Sequence, residues 1–112
     1  MFNYNHLTLV GRLTQDPIKE VTEDETTKVK FTLAIERPYR KDDGTTEADF
    51  IPVIIYGKLA EVALQYLKKA RPVLIEGRIQ IRQTKCSQDE NSYHYATEVV
   101  AENFQVLESL KK

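Results

Sequence analysis

The sequence predicts an all-β fold with one helix: a small barrel of five strands, with the helix between strands three and four. Three observations carry that expectation. Five stretches alternate side chains with period two, polar turn-forming segments separate most of them, and a single stretch has the 3.6-residue period of a helix. A parallel α/β fold would need more crossover helices than that. The chain has 112 residues, 41% hydrophobic and 29% charged, which is the size and composition of one domain able to close one core.

The first strand is His6 to Leu13, with Leu7, Leu9 and Leu13 on one face and Thr8, Val10 and Arg12 on the other. It stops at Thr14-Gln15-Asp16-Pro17, a turn signature. Glu23 to Glu25 and the threonines after them have no apolar pattern and read as a solvated loop. From Lys28 the alternation is clean: Val29, Phe31, Leu33 and Ile35 inward, Lys28, Lys30, Thr32, Ala34 and Glu36 outward. Arg37 to Ala48 reads as a long hairpin loop around Asp43-Gly44, with Tyr39 between Arg37, Arg40 and Lys41.

The third strand, Phe50 to Tyr56, is apolar on both faces, which normally means double burial. Its rings, Phe50 and Tyr56, share a face with Pro52 and Ile54, opposite Ile51, Val53 and Ile55, so that face is a candidate for something other than core. After Gly57 the period changes, and Leu59, Val62, Ala63, Tyr66 and Leu67 form one stripe of a helix about three turns long. Pro72 opens the fourth strand, with Val73, Ile75, Gly77, Ile79 and Ile81 inward and Leu74, Glu76, Arg78, Gln80 and Arg82 outward. Gly77 marks a bend or bulge there. Gln83 to Asn91 reads as a polar loop. Tyr93 to Ala101 is the fifth strand, with Tyr93, Tyr95, Thr97 and Val99 opposite His94, Ala96, Glu98 and Val100. This order of strands and helix is that of an OB fold, a Greek-key barrel.

Catalysis has strict requirements, and the sequence does not meet them. His6 and His94 are isolated, Cys86 has no His or second Cys near it, and there is no Gly-rich phosphate loop, Ser elbow or paired metal spacing. Glu61 is accounted for by the helix dipole. No enzyme, metal or cofactor is expected. No apolar run approaches the roughly 18 residues of a membrane span, and the N-terminus lacks a signal-peptide layout, so a cytoplasmic protein is expected.

The net charge of −1 gives no overall basicity, but charge is unevenly placed. Asp16 to Glu25 holds five acids against Lys19, whereas Lys58 to Arg82 holds six bases against Glu61 and Glu76. Single-stranded nucleic acid needs rings on which bases stack and cations that follow the phosphates. Tyr39, Phe50 and Tyr56 supply rings, and Arg40, Lys58, Arg78 and Arg82 supply cations. A ring on a strand is more often core than platform, so taken singly each of the three leaves both readings open.

Five segments together carry a resemblance. Leu9-Val10-Gly11-Arg12-Leu13-Thr14-Gln15-Asp16-Pro17, Phe31-Thr32-Leu33-Ala34, Tyr56-Gly57-Lys58-Leu59-Ala60-Glu61, Ile75-Glu76-Gly77-Arg78 and Thr97-Glu98-Val99-Val100 resemble, in order and spacing, the bacterial single-stranded DNA-binding protein family. The resemblance covers residues 5 to 107 and implies an OB fold, sequence-independent binding of single-stranded DNA, no catalysis and a homotetramer. It implies stacking by Tyr39, Phe50 and Tyr56, retained cations at Lys58, Lys69 and Arg82, and strand contacts by Lys30 and Thr32. Thr84 falls where many members carry a further stacking Trp, and Pro52 and Gln83 replace basic residues, which implies weaker binding or a shorter footprint.

The domain is expected over residues 1–107, with a short tail at 108–112. Typical members continue into a flexible segment with an acidic tip that recruits replication and repair enzymes, whereas this sequence ends at Leu110-Lys111-Lys112. Tip-dependent partners are therefore not expected, and the chain resembles short paralogues serving DNA uptake, phages or plasmids. Two other readings stay open from residues alone: a primosome-type OB accessory protein, and an OB scaffold whose aromatic face contacts protein.

Overall fold

The computed structural model describes residues 2–85 and 93–107. The elements are β1 (Leu7–Leu13), β2 (Ile18–Val21), β3 (Thr27–Arg40), β4 (Thr46–Tyr56), α1 (Lys58–Tyr66), β5 (Pro72–Lys85) and β6 (Tyr93–Val106). The sheet runs β1-β5-β6-β4-β3-β2, and β1 also pairs with β3 at Arg12↔Ala34 and Leu13↔Leu33, closing the ring. All barrel pairs are antiparallel except β4 with β6, which is parallel at Val53↔Val99 and Ile54↔Val100. The ring holds five strands, with α1 between the third and the fourth. This is the OB-fold arrangement that the periodicities predict.

The core is built from the inward phase of each strand: Leu13, Val29, Phe31, Leu33, Val53, Ile55, Val73, Ile75, Val99 and Ala101. Helix α1 adds Ala60, Ala63 and Leu67. Its buried stripe is rotated from the expected one, because Val62 and Tyr66 face solvent while Ala60 is buried. Two alanines on the inner face let the helix axis come close to the barrel, and bulkier side chains turn outward. Gly57, with φ at 73°, makes the turn from β4 into α1, a backbone conformation that side chains resist.

Several boundaries differ from the sequence reading. The segment after Pro17 contains β2, a short exposed strand laid along β3 from Ile18↔Lys30 to Val21↔Thr27. It lies outside the ring, held along β3 by its ladder and by ion pairs from Glu20 to Lys28 and Lys30. The expected hairpin loop is much shorter: β3 runs to Arg40 and β4 begins at Thr46, with a register shift between Glu36 and Arg40. Tyr39 is therefore on a strand. Cross-strand charge keeps these arms together, since Arg37 pairs with Glu47 at 2.9 Å and Asp49 at 2.9 Å, and Lys41 pairs with Glu47 at 2.7 Å.

Strand β5 likewise continues to Lys85, and β6 continues past Ala101. The register passes from Glu76↔Asn103 to Gly77↔Ala101, so Glu102 is the extra residue of a bulge. A Cβ at Gly77 would overlap the Val100 carbonyl oxygen, so only glycine fits that crossing. Beyond the bulge Ile79 and Ile81 keep the inward phase, but the hairpin has left the barrel mouth and both are exposed. Cys86 and residues 108–112 lie outside the described residues.

Candidate nucleic-acid interface

The outward face of β3 and β4 is one surface, because the register places Lys28, Lys30, Thr32 and Ala34 directly opposite Tyr56, Ile54, Pro52 and Phe50. Phe50 and Tyr56 stand at its two ends, 65% and 39% exposed. Lys28 Nζ lies 5.9 Å from the Tyr56 ring centroid, within cation–π range. Strand β2 adds Ile18 and Glu20 on one side. On the other side the overhanging β5–β6 hairpin bends over the surface and turns it into a cleft of about 340 Å³. Lys30, Thr32 and Arg82 line it together with Ile18, Pro52 and Glu98.

Ile54 is 2% exposed although it points away from the core cluster, and Val100 beside it is also buried. This second, smaller apolar contact lies under the cleft, where the hairpin covers the outer face of the sheet. Arg78 and Arg82 stand opposite Val100 and Ala96 across the β5–β6 ladder, and Arg78 Nη1 donates to Gln80 Oε1 at 3.1 Å.

The remaining candidates are more dispersed. Tyr39 is 62% exposed, but its neighbour is Arg37, on the strand phase of Asp49 and Glu47 and thus opposite that of Phe50. Hydrogen bonding to Asp49 first, and to Tyr39 next, holds the Arg37 guanidinium above its already high ordinary pKa. Arg40 closes the same hairpin opposite Thr46. Lys58 opens α1, and Lys69 follows it, its backbone N–H donating to Asp16 Oδ1 at 2.8 Å. Lys30, Thr32, Phe50, Tyr56 and Arg82 are thus grouped about one cleft; Tyr39 and Arg40 extend from it on the β3–β4 hairpin.

Acids sit among these cations. Glu20 pairs with Lys30 at 3.4 Å and Lys28 at 4.0 Å. Glu98, 6% exposed, faces Arg82 at 3.7 Å. Sequence reasoning places Glu98 on the face of its strand opposite Val99 without counting it in the site; Ile18 and Gln15, also in the cleft wall, lie in or beside a segment that reads as turn and loop. The one signal for Glu98 is a lone charge within Ala96-Thr97-Glu98-Val99-Val100-Ala101.

Three comparisons of sequence bear on this surface. The profile of the Single-strand binding protein family matches residues 4–107. The chain is 42% identical over 109 residues to single-stranded DNA-binding protein 1 of Clostridium acetobutylicum, covering 96% of this chain and 97% of that relative. It is 42% identical over 104 residues to single-stranded DNA-binding protein 1 of Streptococcus pyogenes serotype M18, covering 93% of this chain and 78% of the relative. A match across nearly the whole barrel, the cleft included, leaves one assignment: the chain belongs to the single-strand binding protein family.

Proposed function

We propose that this chain binds and protects single-stranded DNA in replication, recombination, repair or DNA uptake, without catalysis and with little sequence preference. The observation that carries the reading is the outward β3–β4 face, where Phe50 and Tyr56 flank a cleft bordered by Lys30 and Arg82. Bases stack on the rings, and phosphates are neutralised by Lys30 and Arg82 at the cleft and by Lys58, Lys69, Arg78 and Arg40 further along the strand's path. Tyr39 stacks a base further along the β3–β4 hairpin, and Thr32 contacts the strand between the rings. Stacking serves every base and phosphate contacts carry no sequence information, so the discrimination is between single and double strands.

The unit that acts is the barrel of residues 1–107, assembled as a homotetramer over which one strand wraps, in the cytoplasm. No helix among the described residues is long and apolar enough to cross a membrane. The test is a titration of intrinsic Tyr fluorescence with oligo(dT) at two salt concentrations, beside a duplex of the same length. Quenching that weakens with salt and is absent with duplex supports the reading; no quenching by the single strand refutes it. Sedimentation of the same sample reads the tetramer.

A further inference from the structure

The segment ahead of β1 carries three rings at alternate positions, Phe2, Tyr4 and His6, that the single-strand reading leaves unused. A chain terminus is ordinarily poorly ordered unless something ties it down. Here the Asn5 side chain does so: its Nδ2 donates to the Ile79 carbonyl oxygen at 2.8 Å, and its Oδ1 accepts from the Ile79 N–H at 3.0 Å. That edge of β5 is thereby paired just past the point where β1 stops covering it, at Leu7↔Gly77. Asn5 and Ile79 continue the register of the same ladder, which sets His6 beside Arg78 and Tyr4 beside Gln80. Alternation puts His6 on the outward phase of Thr8 and Val10, and the Tyr4 and His6 rings lie together with centroids 6.1 Å apart. Tyr4 is 91% exposed, so its ring contributes almost nothing to the fold.

We infer that this tethered arm is a further stacking platform, on which Tyr4 and His6 take bases of the single strand where it leaves the cleft past Arg82 and Arg78. The inference rests on the single-stranded DNA reading and extends its path. Continuity with the cleft argues for this occupant. Arg78 Nη1 donates to Gln80 Oε1 at 3.1 Å, and Gln80 Nε2 donates to Glu98 Oε1 at 3.1 Å, so one hydrogen-bonded row leads from beside the arm to the cleft wall. Arg82, next on the same phase of β5, lines the cleft itself. Rings beside guanidinium groups suit unpaired nucleotides, with the base on the ring and its phosphate on the cation. Stacking serves every base, so the added platform lengthens the footprint without adding sequence preference.

The test is a titration of the whole chain with oligo(dT) of about 16 nucleotides, the upper end of one OB-fold site. Tyr4→Ala should weaken binding about 5- to 150-fold, the worth of one stacked base, with the thermal midpoint unchanged. Tyr4→Phe keeps the ring and should bind as the parent does. Asn5→Ala unties the arm and should also weaken binding; in the double variant the two losses should not add, because an untied ring is already lost to the strand. Tyr4→Ala binding as tightly as the parent overturns the proposal, as does an equal loss in Tyr4→Phe, and losses that add overturn the tethered platform. A changed sedimentation coefficient of free Tyr4→Ala also overturns it, since the arm is then a contact between copies. If the parent itself does not bind oligo(dT), the single-strand reading fails, whatever the variants do.

Discussion

Replacing Phe50 by Ala separates the two things a strand aromatic can do. Phe50 is 65% exposed and stands opposite Ala34, so only about a third of its surface is withdrawn from water within the subunit. Full burial of such a side chain contributes about 1.5–3 kcal/mol, so Phe50→Ala should cost folding less than about 1 kcal/mol. Loss of one stacked base costs binding about 1–3 kcal/mol by comparison. That is about 5- to 150-fold in Kd. Phe31 is the control: it is 3% exposed on the inward phase of the same sheet. Its truncation should remove about 3–5 kcal/mol of stability. Thermal melts and an oligo(dT) titration of both variants decide the matter. If Phe50→Ala melts as early as Phe31→Ala, or binds oligo(dT) as well as the parent, the ring is core and the platform reading fails.

The cations make a second prediction, since Lys30→Ala and Arg82→Ala should each lower the slope of log K against log salt by about 0.7 for every phosphate that the side chain neutralises. An unchanged slope in either removes that side chain from the phosphate path. Gly77→Ala should destabilise by about 1–3 kcal/mol, because its Cβ would overlap the Val100 carbonyl oxygen and lie 3.0 Å from Ala101 Cα. Gly44→Ala meets open space and bears only backbone strain, so a smaller drop in midpoint by chemical denaturation is expected there. Acid should loosen the β3–β4 hairpin. Hydrogen bonding from Arg37 holds the Asp49 carboxyl below its ordinary value, so the pair stabilises the fold above the unfolded-state value near about 3.9. That contribution fades as pH falls through the lower folded-state value. Asp49→Asn should therefore melt earlier than the parent at neutral pH and converge with it in strong acid; a gap independent of pH refutes the assignment.

The barrel is legible in the sequence because its core obeys one period. Val29, Phe31, Leu33, Val73 and Ile75 fall on the inward phase that alternation assigns, Val53 and Ile55 lie on the face of the third strand opposite its rings, and all are buried. What escapes has physical causes. Strand β2 is exposed along its whole length and carries no apolar phase, so nothing in Ile18–Val21 distinguishes a ladder from a loop. The arms beyond Glu36 are held by Arg37, Glu47 and Asp49, and paired charges read as solvated turn. On β6 the inward residues are Val99 and Ala101 before the bulge and Phe104 and Val106 after it, so the phase slips by one at Glu102 and the alternation breaks off there. Ile79 and Ile81 show the opposite failure, since a pattern of two reports the phase of a side chain but not whether the partner sheet still faces it.

The same bulge bears on the site. Just beyond it Val99 and Val100 still pair with β4 in the barrel wall, and from there toward the hairpin tip β5 and β6 overhang the outer face of β4, where Ile54, Val100 and Glu98 are buried. The aromatic face thereby gains depth that a flat sheet would lack. This also reconciles a net charge of −1 with a polyanionic ligand. Exposed charges more than about 8–10 Å apart are largely screened at physiological salt, so the charges at the cleft itself count for more than the net charge of the chain. Close at hand, Glu20 pairs with Lys28 and Lys30, and Glu98 faces Arg82, so in the proposed binding mode phosphate competes with these carboxylates for the same cations. In that mode the backbone reaches the cleft only by displacing carboxylates from Lys30 and Arg82, whereas the exposed rings of Phe50 and Tyr56 meet bases without such competition.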